Sequence, residues 1–490
     1  MQPTRRDLVR YTALAATAAS YSRILGANDV AGIGIIGLGN ISRGHLREFA
    51  ERPESQITAV CDIYAPRLDA GVTKTKAKGY HDYKDLLADS KVDAVIICTP
   101  DHWHAPMAIE AMRAGKDVDV EKPMAMDPTE AKEMVRVSAE TDRILAVDSE
   151  HMAHGVGEPA RRAVAYGLLG KTLWAQTRRS RNTIEPPWNY PIDEDAGPDN
   201  LDWEAWLGNA PKVPFSKDRY FRWRRYWDYG GGIATDLYYH HITPLIHVLG
   251  CEFPVRGVAA GGNYVEPSEV LQVPDTFVIS LDFPGKYTIV CGGSLKNSAE
   301  ADIIVRGNEA NIHFEGDSQT RPGFLRIEPE ENFIEGFKER VTSTGLDDMG
   351  EWIEERRPLR KTNFVGQTPR RKRQLVEALF ADPKWKGRYA DDLKTSAAIA
   401  NPGSARDSYF QKIFEVREQI RSVKASLWIK APKTPTYRQH FLEAIRTRNP
   451  TPLDGHLGYR SQVAVSLGVE AYRRDKVMRW DLNKEKLVEG

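Results

Sequence analysis

Asp236 and His240 stand four residues apart, just after the triplet Gly230-Gly231-Gly232. On a helix that spacing puts both side chains on one face. A carboxylate beside an imidazole orients the ring and raises its basicity, which is what a proton-transfer step needs. A second chemically capable residue is Lys122, in the run Val120-Glu121-Lys122-Pro123 at the end of an apolar, strand-like segment. Its ammonium can stabilise a developing alkoxide, or, if a neighbouring cation depresses its pKa, its neutral amine can take the proton. Oxidation of an alcohol asks for such groups: hydride leaves carbon, a proton leaves oxygen, and a base must stand beside the hydroxyl. We take His240 as the base and Lys122 as its electrostatic partner; the reverse assignment is the alternative. His102 and His104 flank Trp103. The histidines lack a clear third ligand, so no metal site is assigned. Trp103 is expected to stack on a ribose or a sugar ring.

A hydride acceptor is also legible. Ile33, Ile35 and Ile36 form a β-branched strand that runs into Gly37-Leu38-Gly39-Asn40-Ile41-Ser42 and then a helical pattern. This is the dinucleotide turn G-x-G-x-x-G with Ser42 in the third position. The first glycine permits the tight turn, the second lets backbone N–H groups approach a pyrophosphate, and the third position needs only a small residue. Asp62 ends the next strand, 25 positions after Gly37. A carboxylate there binds ribose hydroxyls and repels a 2′-phosphate, so NAD is favoured over NADP.

These residues need elements to carry them. Strands end at Asp62, before Thr99 and Pro100, and at Glu121, and helical patterns alternate with them up to Val147. That alternation predicts a parallel, doubly wound Rossmann sheet over residues 30–150, whose ligands bind outside the C-terminal strand ends. Asn40, Ile41, Thr99, Pro100, His104, Glu121 and Lys122 join Gly37, Gly39 and Asp62 as expected cofactor contacts. Residues 151–330 read as strands separated by turns such as Pro284-Gly285 and Gly307-Asn308. They predict a domain on an open, mostly antiparallel sheet that binds substrate and mediates oligomerisation. Trp103, Arg225, Tyr239, His240 and His241 are assigned to substrate, with the aromatic run Tyr220–Trp227 read as a sugar-binding wall or as core. Trp188 and Tyr190 are weaker candidates of the same kind. Residues 331–435 are highly charged and read as a helical insertion, with Phe410, Ile413, Phe414, Ile420, Val423 and Leu427 at helical spacing. Two helices over 436–490, joined through Asp454-Gly455-His456, return to the core.

In order and spacing, GLGNIS, CTPDHWHAPMAIEAMRAGKDV and VEKP resemble the glucose–fructose oxidoreductase/inositol dehydrogenase (Gfo/Idh/MocA) family, and with the N-terminal segment its secreted branch. The resemblance covers residues ~30 to 315 and ~436 to 485. It implies that Lys122 touches both nicotinamide and substrate hydroxyl, that His240 or Asp236 relays the proton, and that the bond before Pro123 is cis. The family's glycine triplet followed by D-x-x-x-H matches Asp236 and His240. Thr243 departs from the Asp of many relatives.

Sixty-eight basic and 68 acidic residues leave no formal net charge, so there is no bulk attraction to nucleic acid or anionic lipid. No apolar run has the roughly 20 residues of a membrane span. Arg5-Arg6 followed by a short apolar stretch reads as a twin-arginine export signal over 1–27, hence a periplasmic or secreted location. The four cysteines contain no C-x-x-C pair and read as buried thiols. The expectation is an NAD-dependent oxidoreductase acting on a secondary alcohol of a sugar, with tightly bound, recycled cofactor. The alternatives are a glycosidase that oxidises transiently, with His240, Tyr238 or Tyr239 taking the α-proton, and a non-catalytic sugar sensor. The partners expected are a sugar or glycoside and further copies of the chain, with no nucleic acid and no membrane insertion.

Overall fold

The computed structural model describes residues 30–149, 152, 155–299, 302–316, 323–358 and 421–490. The expected export signal, and Phe410, Ile413, Phe414 and Ile420, lie outside the described residues.

The first unit alternates strictly: β1 (Ala31–Ile36), α1 (Ser42–Ala50), β2 (Ser55–Cys61), α2 (Ala65–Thr75), β3 (Lys78–Tyr80), α3 (Tyr83–Ala88), β4 (Ala94–Ile97), α4 (Asp101–Arg113), β5 (Asp117–Glu121), α5 (Pro128–Thr141) and β6 (Leu145–Asp148). The six strands are parallel, in the order β3-β2-β1-β4-β5-β6. β1, β4, β5 and β6 are buried at every position, as strands covered on both faces must be. The order reverses between β1 and β4, and that switch point opens the crevice in which ligands bind such sheets.

After α6 (Gly157–Ala165) comes β7 (Thr172–Arg178), then β8 (Arg181–Asn182) and a long excursion with two short helices, α7 (Trp203–Leu207) and α8 (Lys217–Phe221). The chain passes through a π-helical turn, Ala234–Tyr238, into α9 (Tyr239–Val248). β9 (Arg256–Gly262), β10 (Thr276–Asp282) and β11 (Thr288–Ser294) follow, and then β12 (Lys296–Asn297), β13 (Ile303–Gly307), β14 (Ala310–Glu315) and β15 (Phe324–Pro329). Next come α10 (Phe337–Thr342), β16 (Gly350–Pro358) and β17 (Arg421–Lys430). An eleven-stranded sheet results, antiparallel except for the β7–β11 pair. On β10, Phe277, Ile279 and Leu281 are buried while Val278 is exposed, the alternation of a sheet covered on one face.

The helical reading of Val423 and Leu427 is corrected here. Residues 421–430 are a strand between β15 and β16. Ala425, Leu427 and Ile429 are buried at every second position, and that period of two competes with the helical one in a short segment.

The chain then returns. α11 (Tyr437–Thr447) and α12 (Gly455–Arg474) pack against the first unit before β18 (Met478–Asp481) and β19 (Lys486–Glu489) extend the large sheet beyond β9. Asp454 caps α12 by accepting from Leu457 N. Gly468 lets α12 lie against β10: a Cβ there would sit 2.5 Å from Ile279 Cγ2. The first unit depends on these helices. Arg448 Nη1 donates to Asp117 at 2.7 Å, Arg438 Nη2 lies 3.0 Å from Asp148 Oδ2, and Val147 N donates to Leu453 O. All four cysteines are unpaired; Cys251 is half-buried and the others are buried.

Candidate active site

Gly37 leaves β1 with φ +87°. A Cβ there would lie 2.9 Å from the Cys98 carbonyl, so this turn requires glycine. Gly39 is different: a Cβ would meet only Arg67 Nη1, at 3.7 Å, and its absence keeps the backbone open to the cavity. Ser42 packs under the turn and donates its hydroxyl to Gly39 O at 2.8 Å. No side chain caps the N-terminus of α1, which leaves N–H groups for an anion.

Gly37, Gly39, Asn40 and Ile41 line a cavity of about 1350 Å³, larger than the roughly 300–1,000 Å³ of an ordinary ligand pocket. Asp62, Thr99, Pro100, His104, Glu121 and Lys122 line it too. Asp62 is aimed by backbone: Leu38 N donates to Oδ2 at 2.7 Å and Tyr64 N to Oδ1 at 2.8 Å. Burial raises its carboxyl above the usual value, against the opposing pull of Arg67. The open glycine turn, the uncapped helix and a fixed carboxylate at the end of β2 fit a dinucleotide.

The far end of the cavity holds the reactive groups. The peptide bond before Pro123 is cis. Lys122 Nζ donates to Asp236 Oδ1 at 3.0 Å and to its carbonyl at 2.6 Å. Arg224 Nε reaches the same carboxylate at 2.9 Å, and Trp188 Nε1 donates to Oδ2 at 2.8 Å. Burial alone would raise the Asp236 carboxyl, but Lys122, Arg224 and Trp188 outweigh it and hold it well below its ordinary value. His240 lines the cavity, and its Nδ1 faces the buried Ser149 Oγ at 2.9 Å. That contact orients the imidazole within the cavity.

Asp236 and His240 are thus both at the site, but the expected carboxylate–imidazole pair is replaced by two other arrangements. Asp236 serves Lys122, and Ser149 holds His240. The π turn between them breaks the simple i, i+4 register. Asp101, which sequence reasoning passed over, is buried in the cavity wall, and Thr235 donates to its Oδ2 at 3.2 Å. Burial pushes its carboxyl up to about 7, against the pull of Arg224 and Lys122.

Several expected substrate contacts sit elsewhere. Arg225 is buried outside the cavity lining, its Nε donating to Pro187 O and its Nη2 to Asn189 Oδ1. Arg224 takes its place. The Trp223–Arg225 stretch is a 3-10 turn, and neither neighbour is marked by periodicity. Tyr239 donates to Gly458 O and Tyr238 to Phe277 O. Both tyrosines are buried structural anchors outside the cavity lining, away from the α-proton role expected of them. Thr243 is also buried and donates to Tyr239 O. His241, Trp103, Tyr190 and Trp223 do line the cavity, whereas Trp188 is buried as a partner of Asp236.

Neither flanking histidine is placed as a ligand. His102 Nε2 meets Trp206 O, and burial pushes its pKa down to about 4. His104 bridges Pro123 O and Thr99 O, tying the ends of β4 and β5 together. Among the described residues, His45, Glu121 and Asp148 have the spacing of a metal triad. Arg438 enters that cluster, 3.0 Å from Asp148 Oδ2 and 3.5 Å from His45 Nε2. A guanidinium there supplies the positive charge that a cation would bring.

Family models match in two places: "Oxidoreductase family, NAD-binding Rossmann fold" over residues 31–149, and "Oxidoreductase family, C-terminal alpha/beta domain" over residues 158–259. Among curated relatives, a glycosyl hydrolase family 109 protein of Saccharopolyspora erythraea is 32% identical over 227 residues, 44% of this chain and 43% of that protein. An inositol 2-dehydrogenase of Salmonella typhimurium is 36% identical over 162 residues, 32% of this chain and 48% of that one. The chain therefore spans less than half the length of either relative. Among solved structures, the WlbA dehydrogenase from Bordetella pertussis, in complex with NADH and UDP-GlcNAcA, aligns with a TM-score of 0.56 at 16% identity, over 92% of this chain and 99% of that one. The aldose-aldose oxidoreductase from Caulobacter crescentus gives 0.55 at 16% identity, over the same shares. At that identity the likeness is one of fold.

Proposed function

Because the chain belongs to the Gfo/Idh/MocA oxidoreductase family, with an NAD-binding Rossmann domain over residues 31–149, we propose that it oxidises or reduces a secondary alcohol of a sugar or sugar derivative. The observation that carries this reading is the meeting of Lys122, Asp236 and His240 in the same cavity as the Gly37–Gly39 turn.

Bound along that turn, NAD supplies a hydride acceptor. Everything else is work for side chains. The His240 imidazole, held in orientation by Ser149, takes the hydroxyl proton. The Lys122 ammonium stabilises the developing alkoxide. Asp236, with Arg224 and Trp188, fixes where that ammonium points. Tyr190 and Trp223 offer flat apolar faces to a sugar ring.

A second reading has its own observation, the identity of 32% to a protein named for glycosyl hydrolase family 109. In such a cycle a bound NAD would take the hydride and give it back; oxidation would acidify the neighbouring C–H, His240 would remove that proton, the aglycone would leave and water would add. The cofactor then never accumulates as NADH, and the products are those of hydrolysis. Export through the twin-arginine route, supported by Arg5-Arg6 and the apolar stretch after it, favours either cycle with retained cofactor. Assembly with further copies of the chain is supported by the one-sided large sheet.

The test begins with protein purified without added nucleotide, denatured, and analysed by mass spectrometry for what it releases. Near-stoichiometric NAD or NADH, followed by turnover on sugars or glycosides, is expected. A protein that binds neither NAD nor NADP overturns the proposal. Hydrolysis without NADH accumulation selects the second reading, and a sugar ketone selects the first.

A further inference from the structure

We propose that residues 190–222, which follow the Rossmann unit in the chain, form a clasp over the adenosine end of the cofactor site and retain the dinucleotide through successive turnovers. This rests on reading the cavity as a dinucleotide site.

The clasp meets the Rossmann unit just beyond Asp62. Ala65 N donates to Asn200 O at 2.9 Å, and Asp202 N donates to Ile63 O at 3.3 Å. Between these, Tyr64 and Leu201 form an antiparallel bridge. Two side-chain ties flank the backbone ones: Tyr64 Oη donates to Asp195 Oδ1 at 3.1 Å, and Arg67 Nη1 donates to Tyr220 Oη at 3.2 Å. A third attachment lies on α4, where Trp103 Nε1 and His102 Nε2 both reach Trp206 O, at 2.7 and 2.9 Å.

The clasp has its own small core. Leu201, Trp206, Tyr220, Phe221 and Tyr229 form an apolar cluster separate from the main one, and Tyr64 is plugged into it, 1% exposed. A residue of the Rossmann turn is thus part of the clasp's interior. The segment cannot lift without exposing it, which makes opening cooperative and costly.

What the clasp covers has the chemistry of a nucleoside. Asp62 presents a carboxylate with both oxygens pinned by backbone N–H groups. Ile63 and Leu201 give apolar faces, and the guanidinium of Arg67 lies over the Tyr220 ring, 5.2 Å from its centroid. Ribose hydroxyls fit the first and a flat base the others. The ties act on escape more than on entry, so they slow dissociation.

The experiment measures NAD release from the purified protein after dilution into excess competing nucleotide. The wild type is expected to release slowly. Tyr220→Phe combined with Asp195→Ala removes both side-chain ties and is expected to speed release about tenfold, the equivalent of two modest hydrogen bonds. Tyr64→Phe deletes a single hydroxyl and provides an independent, smaller acceleration if the double variant fails to fold. Rapid release from the wild type overturns the clasp, and so does an unchanged rate in folded variants. Failure to bind any dinucleotide overturns the cofactor reading itself, a separate outcome.

Discussion

The two ends of the cavity are built by opposite means. At the reactive end, side chains hold side chains: Asp236 is the common partner of Lys122, Arg224 and Trp188, drawn from three separate stretches of chain. At the adenosine end, backbone does the holding, with Asp62 pinned by two N–H groups and Ala65 bound to the Asn200 carbonyl. Side-chain pairs can be rearranged by a proton or a ligand, whereas a backbone frame changes only when the chain moves. The difference separates turnover from retention.

The largest test of that separation is Lys122→Met. Turnover should fall about a thousandfold, the scale of losing a charge-stabilising group in a shielded site, while nucleotide release stays at the wild-type rate. Equal loss of both would erase the contrast. A smaller effect sharpens the reactive end itself. Arg224→Lys removes the Nε contact to Asp236 and should lower kcat about tenfold, since ammonium and guanidinium differ in geometry. Arg225→Lys should leave kcat nearly unchanged but lower thermal stability, because it loosens the Pro187–Asn189 loop. Steady-state kinetics beside thermal melts distinguish the two, and equal kinetic effects would contradict the placement of Arg225. The smallest effect belongs to Asp101. Its carboxyl is held near 7 in the folded protein against 3.8 normally. The folded state therefore keeps a proton that the unfolded chain releases above about pH 4. Stability from this group is full below that point and is lost as pH rises towards 7. Melting temperatures should decline over this window in the wild type and decline less in Asp101→Asn.

The contrast also explains what could be read from sequence. The adenosine end depends on backbone conformation, and glycine and strand-end acids advertise conformation locally; Gly37, Gly39 and Asp62 were legible for that reason. Lys122, Asp236 and His240 were legible as residue types, but their pairing was not. Ser149 lies 91 residues from the imidazole it holds, and a π turn shifts the register that a regular helix would give. Arg224 could not be told from Arg225, because in a 3-10 turn of three residues neither has a periodic signature. The clasp's aromatic residues were visible as a group, but which of them face sugar and which face Tyr64 depends on contacts far along the chain. The strand at 421–430 was hidden by a pattern short enough to satisfy two periods.

The returning helices impose an order on synthesis. Asp117 lies wholly buried in the Rossmann sheet, and Arg448, which binds it, is 331 positions later. At roughly 5–20 residues per second, a ribosome takes roughly 15–65 s to cover that distance. Throughout that interval the emerging Rossmann segment lacks the arginines that neutralise Asp117 and Asp148. Its strands are made first and its last helical cover is made late. A nascent chain halted anywhere in between lacks these two arginine contacts and leaves a helix-packing face bare.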